Sequence, residues 1–192
     1  MKSDSDITHI DRVLDGDISA FAPLVDRHKD MVFSIVLNIL KNREDAEEIS
    51  QDVFLKAYRK LDTFRRDSKF STWLYRIAYN AAISGTRKKK YLFTDYGEDN
   101  MEELPDENTT DEPDNTDDEL QLRRMRKALE TLAPGDNTLI ALFYMNNSSI
   151  EEISEITGLS QSNVKVKLHR IRKKLLSEMK SMANMAQISS RL

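Results

Sequence analysis

Lys165, Lys167, Arg170, Arg172, Lys173 and Lys174, with His169 among them, crowd one short stretch near the carboxy-terminal end of the chain. The chemistry such side chains support is non-covalent. Ammonium and guanidinium groups hold phosphate oxygens, and an arginine or histidine on the same face reaches base edges. A solvated helix face has the same composition, so the arrangement decides. At about 100° per residue, Val164, Leu168, Ile171 and Leu175 fall on one stripe suited to burial. Ser162, Val166, His169, Arg170 and Lys173 lie roughly opposite, where a groove would be read, and Lys165, Lys167, Arg172 and Lys174 line the flanks, where phosphates would be held.

A helix of this kind needs a partner to set its angle, and the residues before it supply one. Ser148 with Glu151, and Ser149 with Glu152, both have the Ser-x-x-Glu spacing of a capping box, so a helix starts at one of the two serines and runs to about Thr157. Gly158 suits the left-handed backbone of a sharp turn, and Ser160 caps the basic helix that follows. Two short helices joined in this way form a helix-turn-helix, with the basic one as the candidate for the major groove of DNA.

A second cluster mixes aromatics with cations. Phe64, Phe70, Trp73, Tyr75 and Tyr79 stand among Arg65, Arg66, Lys69 and Arg76, and Arg87 to Lys90 follow. Such a mixture can stack unpaired bases and hold their backbone. Trp73 and Phe70 are expected in the core and Phe64 on the surface, while Asn80 is a polar side chain able to read a base edge. The positioning elements are helices. Ile7, Ile10, Val13 and Leu14 predict a first helix that stops near Gly16; a second carries Phe21 to Ile39 with Pro23 near its start. Asn42 precedes a third with Ala46, Ile49, Val53, Ala57 and Leu61 on one face, and a fourth spans about Thr72 to Lys88. Four helices around one small core are expected here.

Charge is segregated along the chain. Residues 1–91 hold 17 Lys and Arg against 14 Asp and Glu, a net of +3; residues 92–119 hold 13 acids and no base; residues 120–192 hold 12 bases against 6 acids, a net of +6. The acidic stretch has too few apolar residues to fold alone and is expected to be an extended, flexible linker. The fold class is therefore all-α, with two small helical domains, 1–91 and 120–192, joined by the acidic linker 92–119, the second containing the helix-turn-helix. The absence of cysteine excludes disulfides and thiolate-held metals. No apolar run is long enough to span a membrane and the amino terminus is too charged for a signal peptide, so no membrane insertion is expected and the chain is read as cytoplasmic. His9, His28 and His169 are scattered with no Gly-rich phosphate loop, so no catalytic site, metal or cofactor is expected. A helix-turn-helix response regulator is the alternative, and it requires an alternating strand and helix receiver that the sequence does not display.

DAEEISQDVFLKAY, FSTWLYRIAYNAA and the helix-turn-helix ending LHRIRKKL, in that order, resemble an extracytoplasmic-function RNA polymerase sigma factor of the RpoE-like kind, from about Asp15 to Leu176. The resemblance implies a first domain that binds core RNA polymerase and recognises and melts the -10 promoter element, and a second that recognises the -35 element. It implies that the linker threads the RNA exit path, where negative charge mimics RNA. Core polymerase (its β′ clamp helices and its β subunit), promoter DNA and an anti-sigma factor are the implied partners. Glu48, Gln51 and Asp52 match positions that face the β′ clamp helices. Phe64 and Asn80 match positions that open and read the -10 element, with Arg65, Arg76, Arg87 and Lys88 as neighbouring DNA contacts. Lys165, Val166, His169 and Arg170 match -35 readers, flanked by Arg172 and Lys173. The chain departs from the family at Arg66, where many relatives have Gly, and at Val166, where a small polar residue is frequent.

Overall fold

The computed structural model describes the backbone of residues 2–94 and 117–189, and the side chains of residues 5–86 and 119–183. Every regular element among them is helical. Helix α1 (Lys2–Leu14) and a 3-10 turn (Ile18–Phe21) lead into α2 (Ala22–Leu40) and α3 (Arg43–Arg59), and a second 3-10 turn (Leu61–Thr63) leads into α4 (Phe70–Thr94). Then come α5 (Asp117–Glu130), α6 (Pro134–Ile140), a π-helical turn (Ala141–Met145), α7 (Ile150–Thr157) and α8 (Gln161–Ser189).

Local chemistry sets most of these limits. Gly16 follows α1 with φ 102°, and Pro23 sits in the first turn of α2, where its missing N–H costs nothing. The Asn42 side chain accepts the Asp45 amide proton at 2.9 Å, and Glu44 and Asp45 lie at the positive end of the α3 dipole. Helix α4 outruns its expected end near Lys88. Helix α4 extends to Thr94, and α5 begins at Asp117, so both ends of the stretch read as linker are helical, and residues 95–116 lie outside the described residues. Helix α8 continues to Ser189, because Met179 and Met182 pack on the core and keep one face of the tail occupied.

Helix α2 is the centre of the amino-terminal half. Its Leu24, Val32, Ile35 and Val36 are fully buried against Ala46, Val53 and Ala57 of α3 and Leu74, Ala78 and Ala82 of α4. Alanines at these contacts let the helices approach closely. Gly85 takes this further, since a Cβ there would stand 2.9 Å from Ile49 Cδ1. In the carboxy-terminal half Val164, Leu168, Ile171 and Leu175 of α8 pack with Ile153 and Ile156 of α7, Leu139, Leu142 and Ala128. Each such aliphatic side chain removed from water contributes about 1.5–3 kcal/mol.

The two halves also touch. Helix α4 packs on α7 and α2 on α6, and the buried apolar side chains of both halves join into one cluster. Modules this small bury only a modest share of their surface alone, and closing on each other buries more.

Candidate nucleic-acid and polymerase interfaces

The helix-turn-helix is built as its residues dictate. Of the two serines, Ser149 is the cap: its hydroxyl accepts the Glu152 amide proton at 3.1 Å and the Glu152 carboxylate accepts the Ser149 amide proton at 2.8 Å. Ser148 is buried instead, its amide donating to the Leu142 carbonyl. Gly158 ends α7 at φ 75°, and Ser160 caps α8 by accepting the Asn163 amide proton at 3.2 Å. With its apolar stripe buried, α8 leaves Lys165, Val166, His169, Arg170, Arg172 and Lys173 exposed on one continuous surface. Two flanking lysines are already engaged: Lys167 pairs with Asp136 at 3.4 Å, and Lys174 donates to the Thr131 carbonyl at 2.7 Å. The Arg172 guanidinium lies over the rings of Phe143 and Tyr144.

In the amino-terminal half Glu48, Gln51 and Asp52 are exposed on α3, off the stripe of Ala46, Val53 and Ala57. Arg76 and Asn80 are exposed one turn apart on α4. Asn80 and Asp52 share the rim of a groove of about 420 Å³ between α3 and α4, together with Lys56 and Lys60, two cations that the spacing of α3 did not single out. Arg65 points into solvent, 3.3 Å from Asp67. The side chains of Arg87 and Lys88 lie outside the described residues, although α4 runs through both positions.

Phe64 departs from expectation. It is 7% exposed, with its ring 5.7 Å from Phe70 and 5.4 Å from Trp73, so in this arrangement it is part of the core. Three rings packed edge to tilted face remove more apolar area than one left in water, and that outweighs the polar sequence around it. Tyr75 is buried as well, and Tyr79 half-buried, so among the described residues this cluster presents no row of aromatic faces open to bases. Arg66 has a left-handed backbone, φ 62°, a conformation that glycine adopts without strain, and its guanidinium pairs with Asp11 of α1.

A polar seam that sequence spacing did not reveal runs between the halves. His28 is buried, with Nε2 3.1 Å from Asp6 Oδ2 and Nδ1 3.1 Å from the Tyr75 hydroxyl, and Arg27 also pairs with Asp6. Burial raises the Asp6 carboxyl, but the hydrogen bonds and charges of His28 and Arg27 outweigh it and hold the group below its ordinary range. Burial drives the Tyr75 phenol upward, and the Asp6 charge adds to it. Across the seam the Tyr75 hydroxyl reaches Asn146 Oδ1 at 3.5 Å, and Lys69 pairs with Glu152 at 2.6 Å. Glu152 is likewise held below its ordinary range: burial pushes it up, and the hydrogen bonds of Lys69 and Ser149 together with the Lys69 charge more than compensate.

With an exposed acidic and polar face on α3 and a basic face on α8 in an all-helical frame, the chain matches known proteins in both halves. Residues 24–91 match the family Sigma-70 region 2, and residues 122–175 match Sigma-70, region 4. Over 179 residues the chain is 34% identical to "ECF RNA polymerase sigma factor SigW" of Bacillus subtilis (strain 168), covering 90% of this chain and 96% of that one. It is 32% identical to "ECF RNA polymerase sigma-E factor" of Escherichia coli (strain K12), covering 85% and 88%. The fold resembles CnrH solved in complex with the cytosolic domain of CnrY, with a TM-score of 0.63, 24% identity, and 92% of this chain and 98% of that one covered. It also resembles the sigma factor RpoE solved with the anti-sigma factor NepR from Bartonella quintana, with a TM-score of 0.65, 22% identity, and 83% and 96% covered. Two sigma-70 regions in order, over nearly the whole length of these relatives, mean that the chain belongs to the extracytoplasmic-function RNA polymerase sigma factors.

Proposed function

We infer that the chain binds core RNA polymerase through Glu48, Gln51 and Asp52 and directs it to promoters that it contacts with both halves. The observation that carries this is the pair of exposed faces, polar on α3 and basic on α8, each lying off the apolar stripe of its own helix. Residues 1–91 act on core polymerase and the -10 element, with the β′ clamp helices meeting α3. Residues 120–192 act on the -35 element, with Lys165, Val166, His169 and Arg170 toward base edges and Arg172 and Lys173 toward phosphates. The acidic stretch 92–119 joins them through the RNA exit path beside the β subunit.

At the -10 element Asn80 reads a base edge, and Arg65, Arg76, Arg87 and Lys88 hold the strand. Phe64 takes part only after its loop rearranges, because its ring is enclosed by Phe70 and Trp73. The reading makes the protein a cytoplasmic initiation factor rather than an enzyme. Among the described residues no helix is long and apolar enough to cross a membrane. An anti-sigma factor is a further partner, as for the RpoE solved with NepR.

The test is run-off transcription with core polymerase on a promoter library, beside binding of the Glu48→Lys/Asp52→Lys variant to core. Transcription from a defined promoter class is expected, and the variant should lose about tenfold or more in affinity for core, since like charges brought together cost several kcal/mol. Undiminished affinity in a variant of intact helicity refutes the docking face.

A further inference from the structure

We propose that Phe143 and Tyr144 are positioning residues that hold Arg172 as a fixed phosphate anchor on the flank of the recognition helix. The inference rests on the -35 reading above. The Arg172 guanidinium carbon lies 5.2 Å from the centre of the Phe143 ring and 5.6 Å from that of Tyr144. The two rings stand 4.9 Å apart at 76°, edge to face, so each supports the other.

Consecutive residues of an α-helix point about 100° apart, and they do not ordinarily converge on one group. Here the backbone is the exception. The Asn146 amide donates to the Ala141 carbonyl, a five-residue step, and the Ser148 amide donates to Leu142, so residues 141–145 form a π turn with one extra residue in it. Such turns are rare and concentrate at functional sites, because the insertion resets the direction of the side chains around it. In this chain it brings two neighbouring rings to a single cation.

The cation is the one at the right place. Lys165, His169 and Arg172 follow one another at steps of four and three residues, which is one stripe of α8, and Arg172 stands about 10 Å along the axis from Lys165. The guanidinium carbon lies over both rings, and among the described residues no carboxylate or carbonyl oxygen is paired with its N–H groups. Lys167 and Lys174, by contrast, already have oxygen partners. Arg172 and Tyr144 are both exposed, so a phosphate can approach. An arginine held against two rings has lost rotamer freedom before DNA arrives, and less remains to be lost on binding.

The experiment uses the full chain reconstituted with core RNA polymerase, titrated with salt on a fluorescent promoter duplex and on one with the -35 element scrambled. Replacing both rings (Phe143→Leu with Tyr144→Leu) should weaken binding to both duplexes about two- to fivefold, the size of an exposed cation–π contact. Arg172→Ala should weaken both and lower the slope of log K against log salt by about one unit. The triple variant should bind no more weakly than Arg172→Ala alone, because the rings act only through the arginine. Equal losses from ring replacement in the wild-type and Arg172→Ala backgrounds overturn the proposal, as does undiminished binding by a folded ring variant. If the double replacement does not fold, Tyr144→Leu, at the more exposed ring, carries the same comparison. Wild-type holoenzyme that binds no promoter sinks the sigma reading itself; wild-type binding without coupling sinks only the aromatic bracket.

Discussion

Glu152 has two roles that substitution can separate, one within α7 and one between the halves. Its carboxylate closes the capping box on the Ser149 amide and also pairs with Lys69 of the loop before α4. Glutamine can still close a capping box but carries no charge. Glu152→Gln therefore removes the pair and keeps the cap, Glu152→Ala removes both, and Lys69→Ala removes the pair alone. The Lys69 side chain is 58% exposed and that of Glu152 17%, so solvent screening discounts the pair to about 0.2–1 kcal/mol. Loss of the cap adds about 1 kcal/mol. Urea denaturation should give Lys69→Ala and Glu152→Gln nearly the same small destabilisation, with Glu152→Ala about 1–2 kcal/mol below wild type. Closure is read separately. The chain has no cysteine, so Glu44→Cys in α3 and Ser177→Cys in α8 give two clean sites for a dye pair. Loss of the pair should raise the ratio of open to closed molecules roughly 1.5- to 5-fold, and added salt should bring wild type toward Lys69→Ala. Unchanged energy transfer in both Lys69→Ala and Glu152→Gln, with Glu152→Ala alone opening the chain, would show that the cap and not the pair holds the seam.

Arg66→Gly should be more stable than Arg66→Ala by about 0.5–1.5 kcal/mol in thermal melts, because both lose the pair with Asp11 while only glycine relieves φ 62°; equal stability refutes the left-handed backbone. The Asp6 carboxyl is held below its ordinary 3.8, so its contribution to stability is complete above that value and fades as the pH falls through the lower folded one. Asp6→Asn should lower stability at neutral pH by about 1–3 kcal/mol and flatten the acid limb of urea titrations. An acid limb as steep as that of wild type would show that Asp6 is not the group lost there.

What the sequence displayed was whatever a local rule could encode. The stripe of Val164, Leu168, Ile171 and Leu175, the turn at Gly158, the start of α3 after Asn42 and the cap at Ser160 each follow from residues a few positions apart, while the choice of Ser149 over Ser148 as the α7 cap came only with the structure. The exposed faces of α3 and α8 follow from the same periodicity. Phe64 was misplaced because its burial depends on Phe70 and Trp73 meeting it after a loop, which no helical spacing encodes. His28 had no visible role because Asp6 and Tyr75 stand 22 and 47 positions away. The bracket on Arg172 depends on a π turn, and one inserted residue leaves no compositional trace.

The seam also bears on how the protein comes to act. With α4 packed on α7, the proposed -10 and -35 faces are held on one compact body, whereas two elements along a duplex require faces at separated positions. On the proposed reading the closed arrangement opens, and a partner can open it only by as much as it prefers the open form. Among the described residues the polar contacts across the seam are weak: a half-exposed ion pair, worth about 0.2–1 kcal/mol, a hydroxyl contact at the limit of hydrogen-bonding distance, and the attraction of Lys41 to Glu130. The rest is apolar contact of α2 with α6 and α4 with α7. A macromolecular interface of ordinary size, roughly 1,600 Å², can supply several kcal/mol of preference. Docking on the face of Glu48, Gln51 and Asp52 leaves the seam itself uncovered, so the opening force must come from the other half being drawn to its own site. Polymerase contacts to both halves, joined by the acidic stretch, meet that requirement, and contact to either half alone does not.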